Sequence, residues 1–164
     1  MASITQITAN NCDFPSTNFA QRLEMNTAER DLVASFDGTI AQSIISKGIA
    51  VSGITTPLSI TLFLCFPTAT TGSAVFEVAV MAVAGGAAIN LITTISYDAI
   101  NSSGAINAPA SVGNPVRVTF ALPNNDAIAA LNYAKFKITR NPADANDTIA
   151  TACYLIAALI DDAR

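Results

Sequence analysis

PLSITLFLCF, residues 57–66, alternates with a period of two. Leu58, Ile60, Leu62, Leu64 and Phe66 share one side of an extended chain, and Ser59 and Thr61 share the other. Successive side chains of a strand point to opposite faces of the pleat, so this is a strand with one buried face. The pattern recurs on either side. AVFEVAVMAV (74–83) sets Phe76, Val78 and Val80 against Glu77; VRVTFAL (116–122) sets Val116, Val118, Phe120 and Leu122 against Arg117 and Thr119. In YAKFKIT (133–139), Ala134, Phe136 and Ile138 oppose Lys135 and Lys137, the lysines reading as a solvated edge. DLVASFD (31–37), part of 43–51, INLITTISY (89–97) and TACYLIAALI (151–160) complete a set of about eight strands.

Turn formers separate them: Phe66-Pro67 through Gly72, Ala84-Gly85-Gly86, Asn101 to Gly104, Val112 to Pro115, and Pro123 to Asp126. The expectation is an all-β, jelly-roll-like antiparallel β-sandwich over residues 29–164. An immunoglobulin domain is disfavoured, because the chain has no tryptophan and no core cysteine pair. Two stretches compete with the β reading. Residues 126–131, after a capping-type Asn125, suit one helical turn. Ile149, Cys153, Ile156 and Ile160 have helical spacing, but alternation of Ala152, Tyr154, Ile156, Ala158 and Ile160 on one face favours a final strand. Residues 1–28 show no sustained alternation and read as an extended N-terminal arm, with Phe14 and Phe19 as the anchors by which it would dock on a neighbouring subunit.

With 164 residues the chain is long enough for one domain with a core of its own, burying roughly 70% of its unfolded surface. Only 12% of residues are charged and 51% are hydrophobic, which points to self-association. A net charge of −4 without a basic cluster excludes a phosphate-binding surface, so no nucleic-acid partner is expected. The apolar runs are too short to span a bilayer as helices, so no membrane partner is expected either. MASITQITANN lacks the pattern of a signal peptide, and synthesis in a cytoplasm is the expectation.

The chain contains no histidine, which removes the commonest general base and metal ligand. Cys12, Cys65 and Cys153 form no CxxC pair and read as buried free thiols. Calcium-loop chemistry in TRNPADANDT (139–148) fails on register after Asn146 and on the missing glycine and glutamate. Asp144 and Asp147 as paired acids lack a proton-shuttling partner. Arg140, bonded bidentately to a carboxylate of Asp144 or Asp147, makes a structural corner between two strands, or an interface if buried between protomers. The sequons at Asn101 and Asn146 carry little weight without a secretion signal. No catalytic, cofactor-binding or metal site is expected.

FKITRNPADANDTIATACYLIAALI (136–160) resembles the C-terminal segment of small β-sandwich virion proteins of tailed bacteriophages, where R-(N/D)-x-x-D-x-x-D-T precedes a last apolar strand. Phe14-Pro15, Ala34 to Asp37, PLSITLFLCF and TATTGSAVFEVAVMAV agree in order, so the resemblance spans most of residues 14–160. The family often has tryptophan in place of Phe76, and an aromatic where this chain has Ile160-Asp161-Asp162. The resemblance implies a non-enzymatic capsid cement (decoration) protein: a homotrimer on the outside of the head, bridging copies of the major capsid protein. Related sandwiches in head fibres, tail fibres and baseplates supply the alternative, a receptor- or carbohydrate-binding domain. The aromatics available for a sugar platform are few, Tyr97, Tyr133 and Tyr154.

Overall fold

A computed structural model describes residues 2–26, 28, 30–50, 54, 56–89, 91 and 95–162. The described residues contain no helix. Twelve strands follow one another: β1 Ala2–Ile7, β2 Cys12–Asp13, β3 Gln21–Asn26, β4 Asp31–Phe36, β5 Gln42–Ser46, β6 Ile49–Ala50, β7 Ser59–Cys65, β8 Ser73–Val83, β9 Asn101–Asn107, β10 Pro115–Ala121, β11 Tyr133–Arg140 and β12 Cys153–Asp162. They build two six-stranded antiparallel sheets. Sheet A runs β10-β7-β12-β4-β3, with β1 also on β12; sheet B runs β2-β5-β11-β8-β9, with β6 also on β11. The all-β sandwich expected from the alternation is the observed fold.

The inward faces are the ones the period of two selects. Leu58, Ile60, Leu62, Leu64 and Phe66 are buried, and they meet Phe76, Val78, Val80, Phe136 and Ile138 from the other sheet in one core. Phe36 of β4 and Phe76 of β8 join the sheets edge-to-face, 5.3 Å between centroids and 79° between planes. Such a pair contributes about 0.5–1.5 kcal/mol beyond its burial. Val116, Val118 and Phe120 of β10 are only partly covered, as befits a sheet edge. All three cysteines are free and buried.

Residues 2–26 are not an extended arm: β1 pairs with β12, β2 with β5 and β3 with β4, so this segment belongs to both sheets. Its short, polar strands hide the alternation, because β3 is an edge strand with every residue exposed. Asn101–Gly104 is not a turn but the start of β9. Asn101 is buried there, donating to Val78 O at 3.0 Å and Asn124 O at 2.7 Å and accepting from Asn124 N at 2.9 Å.

The strand expected over 89–97 does not form in its described part. Ile89, Leu91 and 95–97 lie outside any strand; β9 covers β8 only as far as Val78, and just past this stretch Asp98 N donates to Val80 O at 2.8 Å, while residues 90 and 92–94 fall outside the described set. Residues 126–131 make tight turns instead of a helical turn, with positive φ at Asp126 (54°), Ala127 (49°) and Leu131 (66°). Lys135 and Lys137 do point outward, but β11 is an interior strand paired on both sides.

The last strand departs from simple alternation. Its register against β7 slips between Leu155 and Ala157, a β-bulge. Tyr154 and Ile156 therefore share the outer face, whereas Ala158 and Ile160 lie in the core together with Cys153 and Leu155. One inserted residue exchanges the two faces, as the period of two requires.

Gly38 sits where the loop after β4 presses on the chain entering β12. A Cβ there would stand 2.3 Å from Ala150 C and 2.6 Å from Thr151 N, both backbone atoms. Gly38→Ala is expected to destabilise the fold by about 1–3 kcal/mol, an overpacking cost, measured by denaturant titration. Gly85→Ala, with nothing within 4 Å, is the control and is expected to stay within about 0.5 kcal/mol of the parent.

Candidate functional site

The alternation that places Ala134, Phe136 and Ile138 inside also turns Arg140 inward, at the end of β11. Its side chain is fully buried, with Asp147 beside it 1% exposed. Arg140 Nε donates to Asp147 Oδ2 at 3.0 Å and Nη2 to Oδ1 at 2.8 Å, the bidentate geometry of a guanidinium on a carboxylate. Nη1 donates to Thr151 O at 2.6 Å, and Nη2 also to Ile149 O. Asp147 Oδ2 accepts from Val75 N at 3.0 Å as well. Asp144 takes no part in the pair. Its Oδ1 accepts from Asn146 N at 2.8 Å, and its carbonyl accepts from Asp147 N at 2.9 Å, shaping the turn that delivers Asp147.

The rest of TRNPADANDT is sewn to the start of β8. Ser73 N donates to Thr148 Oγ1 at 3.0 Å, Ser73 Oγ to Asn146 O at 2.6 Å, and Asn141 Nδ2 to Glu77 Oε1 at 2.8 Å. The polar groups of the corner are thus engaged internally. Among the described residues no group of three or more His, Cys, Asp or Glu is placed to hold a metal ion. Burial pushes the nearby Cys153 thiol far above its ordinary range, against the opposing pull of Arg140. A protonated, buried thiol is a poor nucleophile.

Phe14 packs against the core, and the Arg22 guanidinium lies 5.2 Å from its ring centroid. Phe19 is 46% exposed, and its backbone bridges to Ser43 of β5. Both phenylalanines therefore belong to the sandwich's own N-terminal segment, where with Ala20 they line an open hollow of about 330 Å³.

A different surface has the shape of a binding groove, on the outer face of sheet A. One edge of β12 serves two partners: β4 pairs with Cys153–Leu155 and β1 with Ala158–Asp162. At the bulge between them β4 and β1 part, leaving a hollow of about 300 Å³ floored by Ile156 and Ala157. Gln6, Thr8 and Asn10 stand on one side of it, and Met25, Asp31 and Leu32 on the other. Further along the same strands a second hollow, of about 250 Å³, is lined by Tyr154, Gln21, Leu23, Ser35, Asp37 and Gln42.

Tyr154 stands between Ser35 and Cys65 on the neighbouring strands. Gln42 Oε1 accepts from Asp37 N at 2.7 Å, which fixes the amide at the groove's end. Of the three tyrosines, only Tyr154 lines this face. Tyr97 lies over sheet B beside Met81 and Asp98, and Tyr133 packs on Gly48. The outer placement of Tyr154 follows from alternation, but the groove follows from the bulge and from a strand whose pairing the sequence concealed.

No protein-family model matches the chain, and no curated protein does. Solved structures do. A CBM35 module from Abf62 of Cellvibrio japonicus superposes with a TM-score of 0.56 at 6% identity, over 98% of this chain and 94% of that one. An arabinose-bound GH51 α-L-arabinofuranosidase gives a TM-score of 0.53 at 14% identity, over 96% of this chain. The chain spans only 24% of that enzyme's length. At such identities the likeness establishes the fold, a jelly-roll β-sandwich. It upholds the sandwich part of the resemblance to phage virion proteins and lends nothing to the phage and cement parts.

The corner makes a direct prediction. Asp147→Ala leaves a buried guanidinium without its counter-charge and is expected to cost about 3–5 kcal/mol in denaturant titrations. Asp144→Ala removes only an exposed turn bond and is expected to cost about 1 kcal/mol or less. Equal losses at the two positions would show that the pair is not the anchor.

Proposed function

We propose that this chain is a non-catalytic binding module that holds an oligosaccharide across the outer face of sheet A. The observation that carries the reading is the pair of hollows on this face: an aromatic ring, Tyr154, set among amide, hydroxyl and carboxylate side chains in one, and two residues along β12 the fork at Ile156 in the other. Sugars present flat C–H faces rimmed by hydroxyls. A ring for the face and fixed polar groups for the rim are the two features such a ligand needs. The fold likeness to a CBM35 module supports the same reading. Glycan-array binding followed by calorimetry tests it. Tyr154→Ala is expected to weaken the best hit about tenfold or more with the melting temperature little changed. A wild-type chain that binds no glycan on the array would overturn the reading.

A second reading keeps the phage resemblance: a homotrimeric cement protein on a capsid exterior, bound across copies of the major capsid protein. It draws on a surface poor in charge that exposes Leu23 and Met25 on β3 and Ile100 beside β9. Native mass spectrometry tests its first requirement, a trimer at micromolar concentration. A monodisperse monomer there would remove it.

A further inference from the structure

Resting on the oligosaccharide reading, we infer that the sheet A groove selects uncharged or amino-bearing glycans and refuses acidic ones. Asp31 lines one hollow and Asp37 the other, and among the described residues no lysine or arginine lines either. The neighbouring cations are committed elsewhere. Arg30 pairs with Glu24 at 3.1 Å, Lys47 with Asp13 at 2.8 Å, and Arg140 is buried against Asp147. Arg22 stacks on Phe14.

Arg117 lies on the outward side of β10, which is separated from β12 by β7. Two strand spacings amount to roughly 10 Å, beyond the Debye length of about 8 Å at physiological salt. Asp37 is also held as the anion. Its Oδ1 accepts from Thr39 Oγ1 and Thr39 N, each at 2.6 Å, and from Ile40 N at 3.2 Å. These bonds, that of the Thr39 hydroxyl foremost, keep its carboxyl below the ordinary range, so the groove stays negative in mildly acidic solution. A carboxylate or sulfate on the ligand meets like charge there and, among the described residues, finds no basic side chain lining either hollow.

The test is an array of neutral, amino-sugar, uronate and sulfated glycans probed with the full chain. Calorimetry then compares the best neutral hit with the same sugar oxidised at its primary alcohol to the uronate. The neutral or amino-bearing sugars are expected to bind, and oxidation is expected to weaken binding about tenfold at physiological salt. The gap should shrink in about 0.5 M salt, and D37N should narrow it. The salt arm needs no variant, so it decides the matter if D37N does not fold. A uronate that binds as well as its neutral parent, or a gap that ignores both salt and D37N, overturns the inference alone. An array empty of hits overturns the oligosaccharide reading beneath it, and the inference with it.

Discussion

Arg140 carries a full positive charge into the end of the sandwich, where water does not reach, and the stretch 147–151 wraps it while β8 backs the carboxylate. Asp147 supplies the counter-charge, Ile149 and Thr151 supply carbonyls, and Val75 of β8 shares the carboxylate. Removing two such ions from water costs several kcal/mol, which only near-perfect geometry offsets. What the arrangement gains is uniqueness: β11 can end, β8 begin and β12 enter in one register only. The apolar core already penalises a slip of one residue, and the guanidinium adds a second, directional check at the sandwich's end. Gly38 completes the arrangement from the sheet A side, its missing side chain letting the loop after β4 lie directly on Ala150.

The same device separates the structural role of the corner from any chemical one. TRNPADANDT is the most polar stretch in a chain with little charge, and polarity alone invites a ligand. Its strong groups are directed at the protein itself: Arg140, backbone groups, and the side chains of Glu77 and Ser43. Polarity concentrated in one place can thus mark a joint between sheets as readily as a site. The groove on sheet A has the opposite character, moderately polar and mostly unremarkable in sequence, yet open to solvent.

Much of the fold was legible because a period of two is a strong signal wherever one face is buried. β7, β8, β10 and β11 could be read to within a residue or two, with their inner faces, and so could the Arg140–carboxylate pairing. Alternation fails where burial is weak or where local polar bonds replace packing. β3 is exposed along its whole length, β2 is two residues long, and β9 is held by the Asn101 amide and a Ser103 hydroxyl bonded to Phe76 N. Over 89–97 the opposite error arises: the described residues of a strand-like pattern form no strand, although β9 leaves β8 uncovered beyond Val78. The groove was invisible for a related reason. A bulge is a single inserted residue, and nothing in ACYLIAALI says that the faces exchange after Leu155.

The position of β12 has a consequence for how the chain acquires its shape. This strand pairs with β7, β4 and β1, and it is the last of the twelve in chain order. On the ribosome, sheet A therefore stays split, with β10 and β7 on one side of the gap and β4 and β3 on the other, until residues 153–162 emerge. Closing contacts between positions more than a hundred residues apart is slow. During that wait the edges of β7 and β4 that β12 will occupy are bare, and pairing with another chain competes with self-completion. High local concentrations of nascent chains would favour exchange of β12 between molecules.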